Sequence, residues 1–155
     1  MEIRMAKPED IPGLTDLLLQ VGEVHHKIRP DLFRAGARKY DEKALTEILK
    51  DPNRPIFAAV EDGTLLGYCF CILEITRANP VLMDQKSLYI DDLCVDENAR
   101  GKHVGARLYD FAMDYARKIG CDSLTLNVWC GNDSAMKFYE SRGLKQRNIH
   151  MEARL

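Results

Sequence analysis

The sequence predicts an α/β protein with a mixed, mostly antiparallel central sheet, one parallel β-α-β crossover and helices on both faces. Two observations carry this. The apolar runs 56–61 (IFAAVE) and 64–75 (TLLGYCFCILEI) flank Asp62-Gly63, a two-residue hairpin signal. The strand-like stretches 87–95 (SLYIDDLCV) and 123–129 (SLTLNVW) are separated by one amphipathic helix pattern, and such a crossover joins parallel strands.

Each element follows in order. EIRMA at 2–6 reads as a short first strand. Pro8-Glu9-Asp10 suits a helix first turn, and Ile11, Leu14, Leu17, Leu18 and Val21 continue at helical spacing to about residue 27. RPDLF at 29–33 is a break. DEKALTEILK at 41–50 is a shorter helix, stopped by Asp51-Pro52. The hairpin follows, then a loop at 77–84 and the strand at 87–95. The crossover helix, about 103–119, carries Val104, Leu108, Phe111, Ala112, Tyr115 and Ile119 on one stripe and ends at Gly120. After the strand 123–129, a short helix at 132–142 stops at Gly143, and residues 144–154 read as a last strand.

The chain has 155 residues, enough for a single domain, 1–155, with a real core. A net charge of −2 gives no electrostatic case for nucleic-acid binding. No run approaches the roughly 18 apolar residues of a membrane helix, and MEIRMAKPED lacks the apolar stretch of a signal peptide. Five cysteines, an odd number with no CxxC pair, read as small buried apolar residues in a reducing compartment, and no metal site is expected. A cytoplasmic protein is the expectation.

The most informative stretch is LCVDENARGKHVG at 93–105. A strand ends at Val95, and a basic, Gly-flanked loop, Arg100-Gly101-Lys102-His103-Val104-Gly105, opens a helix. A helix N-terminus leaves amide N–H groups unpaired and carries partial positive charge, so such a loop suits a pyrophosphate. There is no GxxxxGK[ST] and no GxGxxG, so neither a P-loop nor a dinucleotide-binding fingerprint is present. The segment resembles the acetyl-CoA loop of the GNAT superfamily, the acyl-CoA-dependent N-acetyltransferases, whose pattern is Q/R-x-x-G-x-G/A. His103 stands where that pattern has its first Gly. A second motif agrees: Asn132, Ala135, Tyr139-Glu140 and Gly143-Leu144 match the family's C-terminal signature in type and order.

The resemblance implies acetyl-CoA as co-substrate. It would be held by backbone groups of Leu93, Cys94 and Val95, by Arg100, Gly101, Lys102, His103, Val104 and Gly105, and by Asn132. It implies Tyr139 as the acid that protonates the leaving thiolate. Asn132 and Tyr139 are seven residues apart, hence within ~20° of one helix face, and Asn132 also reads as an N-cap.

Asp91-Asp92 puts two carboxylates inside an apolar strand, which points to a cleft. Alternation sends them to opposite faces. LYIDDLCV looks like the strand of polyamine and diamine acetyltransferases. That likeness implies Asp91 as the base, acting through water, and Asp92 as a group that holds a cationic acceptor. His26, at the end of the first helix, is a further acceptor-pocket residue. Asn127 lacks the carboxylate of the enzymes that acetylate ribosomal-protein N-termini.

The expected activity is transfer of acetyl from acetyl-CoA to a primary amine, a small molecule, by direct attack in a ternary complex. Cys94 and Cys130 have no evident base partner for an acyl-enzyme. The alternatives are acetylation of a protein Lys or N-terminus, with an open groove around 25–35 and 77–84, and a non-catalytic acyl-CoA sensor. The alternating tail IHMEARL would suit a homodimer through the last strand and an edge strand equally.

Overall fold

The computed structural model describes residues 1–155. Five strands form one sheet in the order β1 (Glu2–Met5), β2 (Ile56–Glu61), β3 (Thr64–Thr76), β4 (Gln85–Val95) and β5 (Ser123–Leu126). The first four run antiparallel to their neighbours, and β4 and β5 are parallel. The helices are α1 (Ile11–Ile28), α2 (Glu42–Ile48), α3 (Val104–Lys118) and α4 (Asp133–Ser141). The fold class is the one expected. No helix is long and apolar enough to cross a membrane.

Strand alternation builds two core layers. Phe57 and Ala59 of β2, Cys69 and Cys71 of β3 and Leu88 and Ile90 of β4 pack with Val104, Leu108 and Ala112 of α3. Phe138 and Tyr139 of α4 join this side. The other faces of the same strands, Ile56, Tyr68 and Phe70, pack with Leu14, Leu17 and Leu18 of α1 and Leu45 and Ile48 of α2. Gly67 lets β3 pass beneath the start of α3: a Cβ there would stand 2.8 Å from the Cys94 carbonyl oxygen and 3.2 Å from Val104. The Asp62-Gly63 turn has φ of +49° and +77°, the pair that a two-residue hairpin of this twist requires.

Three features differ from the sequence expectation. β5 ends at Leu126, and no strand forms over 144–155. A strand is a pairing between backbones, and this tail has no ladder partner. Its apolar side chains stay in solvent, Ile149 76% and Met151 83% exposed, and its end is held by ion pairs of Arg29 with Glu152 and of Asp31 with Arg154. The expectation of five buried cysteines holds for Cys69, Cys71 and Cys94 and is corrected for the other two: Cys121 is only partly buried, and Cys130, in the turn before α4, is exposed.

Candidate active site

The site lies where the two parallel strands part. The β4–β5 ladder ends at Ile90↔Leu126, while β4 continues to Val95. Leu93 and Val95 keep their antiparallel partners on β3, Cys69 and Gly67, and have none on the β5 side. Backbone groups on that edge are free to hold an extended ligand.

Beyond Val95 the chain turns through Asp96, whose carboxylate accepts from Asn98 N–H at 2.7 Å, and enters the basic loop. Gly101 (φ +81°) and His103 (φ +59°, ψ 21°) are both left-handed. His103, which stands where the family pattern has its first Gly, occupies a backbone well that suits glycine, at a strain of roughly 1–2 kcal/mol. Helix α3 starts immediately after. Arg107 N–H donates to the His103 carbonyl at 3.1 Å, so the first-turn amides before it have no carbonyl within the helix to serve. Lys102 leans on Glu61 at 3.7 Å.

A cavity of about 500 Å³ opens at the parting of the strands. Its floor is β4 from Tyr89 to Leu93. One wall is α1 at Leu18, Val21, Gly22 and His25. The other is formed by Leu126 to Trp129 with Asn132, Ala135 and Tyr139, and the segment at Phe33, Arg34, Ala37 and Lys39 is its roof. Tyr139, Asp91, Asp92, Leu93 and Asn132 thus meet in one place. Cys94 does not line it; its buried thiol, pushed up to about 12 by desolvation, points back toward the Leu17 carbonyl at 3.6 Å. His26 is not part of the lining either. Its Nδ1 lies 2.6 Å from the Phe33 carbonyl oxygen, and its neighbour His25 faces the cavity instead, 5.1 Å from the Phe33 ring.

The carboxylates overturn the expectation of opposite faces. Phe70 pairs with Asp92 and Cys71 with Ile90, so Asp91 is the extra residue of a β-bulge. The bulge resets the alternation: Leu88 and Ile90 face α3, then Leu93 and Val95 do, and Cys94 faces α1. Both carboxylates therefore line the same cavity. They differ in company. Asp91 accepts from Lys39 Nζ at 2.6 Å and from Tyr40 Oη at 3.0 Å. Burial pulls the Lys39 amine down, but Asp91 outweighs it and holds the ammonium above its ordinary value. Asp92 accepts from the fully buried Tyr68 Oη at 2.7 Å. Burial pushes its carboxyl up to about 6 against the lowering effect of that bond.

Tyr139 is pushed well above the usual phenol range, chiefly by burial and then by nearby acidic groups. Asn132 caps α4, its side chain accepting from Ala135 N–H at 3.3 Å. Asn127 donates to Tyr89 Oη at 3.1 Å.

Lys39, Tyr68 and Gly22 escaped the sequence reading. Gly22 alone left a signal, a glycine inside a helix. A Cβ there would stand 2.3 Å from the Ala37 carbonyl oxygen, so the roof crosses α1 at this residue.

Comparison with known proteins agrees. The family model described as Acetyltransferase (GNAT) family matches residues 22–144. The chain is 32% identical over 149 residues to an uncharacterized N-acetyltransferase, YhfO, of Bacillus subtilis, with 94% of this chain and 91% of that protein covered. A crystal structure of a mutant BH1408 protein from Bacillus halodurans superposes with a TM-score of 0.95 at 29% identity, covering 100% and 99% of the two chains. The aminoglycoside N-acetyltransferase AAC(6')-Iy in complex with CoA shares the fold, with a TM-score of 0.71 at 17% identity over 99% of this chain and all of that one. With its parted strands and its basic loop at a helix head, this chain belongs to the acetyltransferase (GNAT) family and is an acyltransferase.

Proposed function

We propose that the chain is an N-acetyltransferase that moves the acetyl group of acetyl-CoA to a small primary amine by direct attack in a ternary complex. The observation that carries this is the single cavity in which the Tyr139 phenol and the Asp91 and Asp92 carboxylates meet at the parting of β4 and β5. Acetyl-CoA supplies the activated acetyl group as a thioester. The unpaired amides at the head of α3, with Arg100 and Lys102, suit its pyrophosphate. The free backbone edge at Leu93–Val95 suits its extended pantetheine arm.

The residues divide the proton work by environment. Asp92, poised near 6, is charged at neutral pH and matched to take a proton from an ammonium or from the attacking amine. It fits the base role better than Asp91, whose oxygens are engaged by Lys39 and Tyr40. Tyr139 stays protonated through the neutral range, so its hydroxyl is available as the donor to the sulfur of the leaving thiolate. The high thiol pKa of Cys94 and its position outside the lining speak against an acyl-enzyme.

A small acceptor is favoured over a peptide by the roof. Gly36 N–H donates to Glu23 Oε1 at 2.5 Å and His26 lies 2.6 Å from the Phe33 carbonyl, stapling 33–36 onto α1 where a peptide would need an open groove. The test is thiol release from acetyl-CoA over a panel of small amines and basic peptides, varying both substrates. Intersecting initial-rate lines with a small amine are expected. Parallel lines would sink the ternary complex, and turnover on peptides alone would sink the small acceptor.

A further inference from the structure

The Asp91-Asp92 pair, taken alone, predicts an acidic pocket for a cationic acceptor. The cavity is not acidic. Four charged side chains line it, and two of them, Arg34 and Lys39, are cations brought in by the roof. Lys39 and Asp91 answer each other at 2.6 Å. Tyr40 holds the second oxygen of Asp91 and is itself held by Arg54 at 2.8 Å. The imidazole of His25, lowered chiefly by burial and then by Lys39, adds no charge at neutral pH. What remains unmatched is one carboxylate, Asp92, on the floor and one guanidinium, Arg34, in the roof. Arg34 makes no ion pair within the chain, unlike Lys39 beside it.

We infer that the acceptor is a primary amine that also carries an anionic group, a carboxylate or a phosphate, and that Arg34 binds that group while the amine sits at Asp92. The inference rests on the acetyl-transfer reading of the site and names its substrate class. A diamine or polyamine brings a second ammonium into a cavity with no carboxylate left for it and an exposed, unpaired Arg34 at its roof, and like charges facing one another disfavour that acceptor. An amine with an anionic end matches both unmatched groups. Arginine's fork of donors suits carboxylate and phosphate alike. A cavity of about 500 Å³ holds a molecule of this size.

The experiment compares acceptors that differ at one end: 1-aminopentane, 1,5-diaminopentane, 5-aminopentanoate and 2-aminoethyl phosphate. Thiol release and equilibrium binding are both measured for wild type, Arg34→Gln and Arg34→Lys. An anionic amine should exceed the diamine in kcat/KM by on the order of tenfold in wild type. Arg34→Gln should collapse that ratio, through KM more than kcat, and Arg34→Lys should restore part of it. Whether the carboxylate or the phosphate compound leads tells the two anions apart. Preference for the diamine, a ratio unmoved by Arg34→Gln, or failure of both anionic amines to bind would each overturn the inference. Turnover of the diamine alone would do so while leaving acetyl transfer intact. Arg34-dependent binding of an anionic amine without thiol release would do the reverse.

Discussion

Replacing Asp92 by Asn makes the protein more stable and less active at once. Burial holds the Asp92 carboxyl at about 6, some two units above the ~3.9 of an unfolded aspartate, and at roughly 1.4 kcal/mol per unit this is ~3 kcal/mol. The folded pKa is the higher one, so the folded state binds the proton more tightly. Stability from this group is greatest below pH ~4 and is lost as pH rises through 6; measured against a neutral side chain, that loss is a constant penalty at higher pH. Asn keeps an acceptor for the Tyr68 hydroxyl, now 2.7 Å from Asp92 Oδ2, and has no charge to desolvate. It gives up the charge-assisted part of that bond, roughly 1 kcal/mol. The expected gain is therefore about 1–2 kcal/mol at pH 7.5, shrinking toward nothing at pH 4. Urea unfolding of both proteins across this range measures it, and kcat/KM for the best amine falls in the same variant. Equal or lower stability of Asp92→Asn at pH 7.5, or a difference that ignores pH, refutes the reasoning.

Two more expectations come from backbone geometry. His103→Gly removes a side chain from a left-handed position, φ +59°; it should raise stability by about 1 kcal/mol, seen as a Tm increase of ~2–4 °C, with acetyl-CoA binding preserved. A lower Tm would show that the imidazole holds the loop. Gly22→Ala should destabilise by roughly 1–3 kcal/mol in urea unfolding and raise the amine KM, because its Cβ would meet the Ala37 carbonyl at 2.3 Å. A gain of ~1 kcal/mol, the ordinary result for glycine in a helix, would contradict the tight crossing.

What the sequence shows and what it hides have a common cause, the range of the interaction involved. The Asp62-Gly63 hairpin, the crossover and the amphipathic α3 are local patterns, and all three form where expected. The bulge at Asp91 is a matter of register against β3, so counting alternation along β4 alone sends Asp92 to the wrong face. The pair itself held the clue: two successive carboxylates can both reach one cavity on one face of a strand only if the alternation breaks between them. Lys39 meets Asp91 across 52 residues of chain, and Tyr68 meets Asp92 across 24, distances that no local pattern spans. Those partners are why Asp91 is matched by a cation and Asp92 by a neutral hydroxyl alone. The tail misleads in the opposite way. IHMEARL alternates, yet alternation without a neighbouring backbone makes no strand.

In the proposed reaction the Tyr139 phenol gives its proton to the leaving thiolate at the parting of β4 and β5. The most direct measurement is thiol release by Tyr139→Phe, with acetyl-CoA binding measured on the same preparation. A drop in kcat of at least roughly tenfold with acetyl-CoA affinity retained is the predicted result. Unchanged kcat would contradict it.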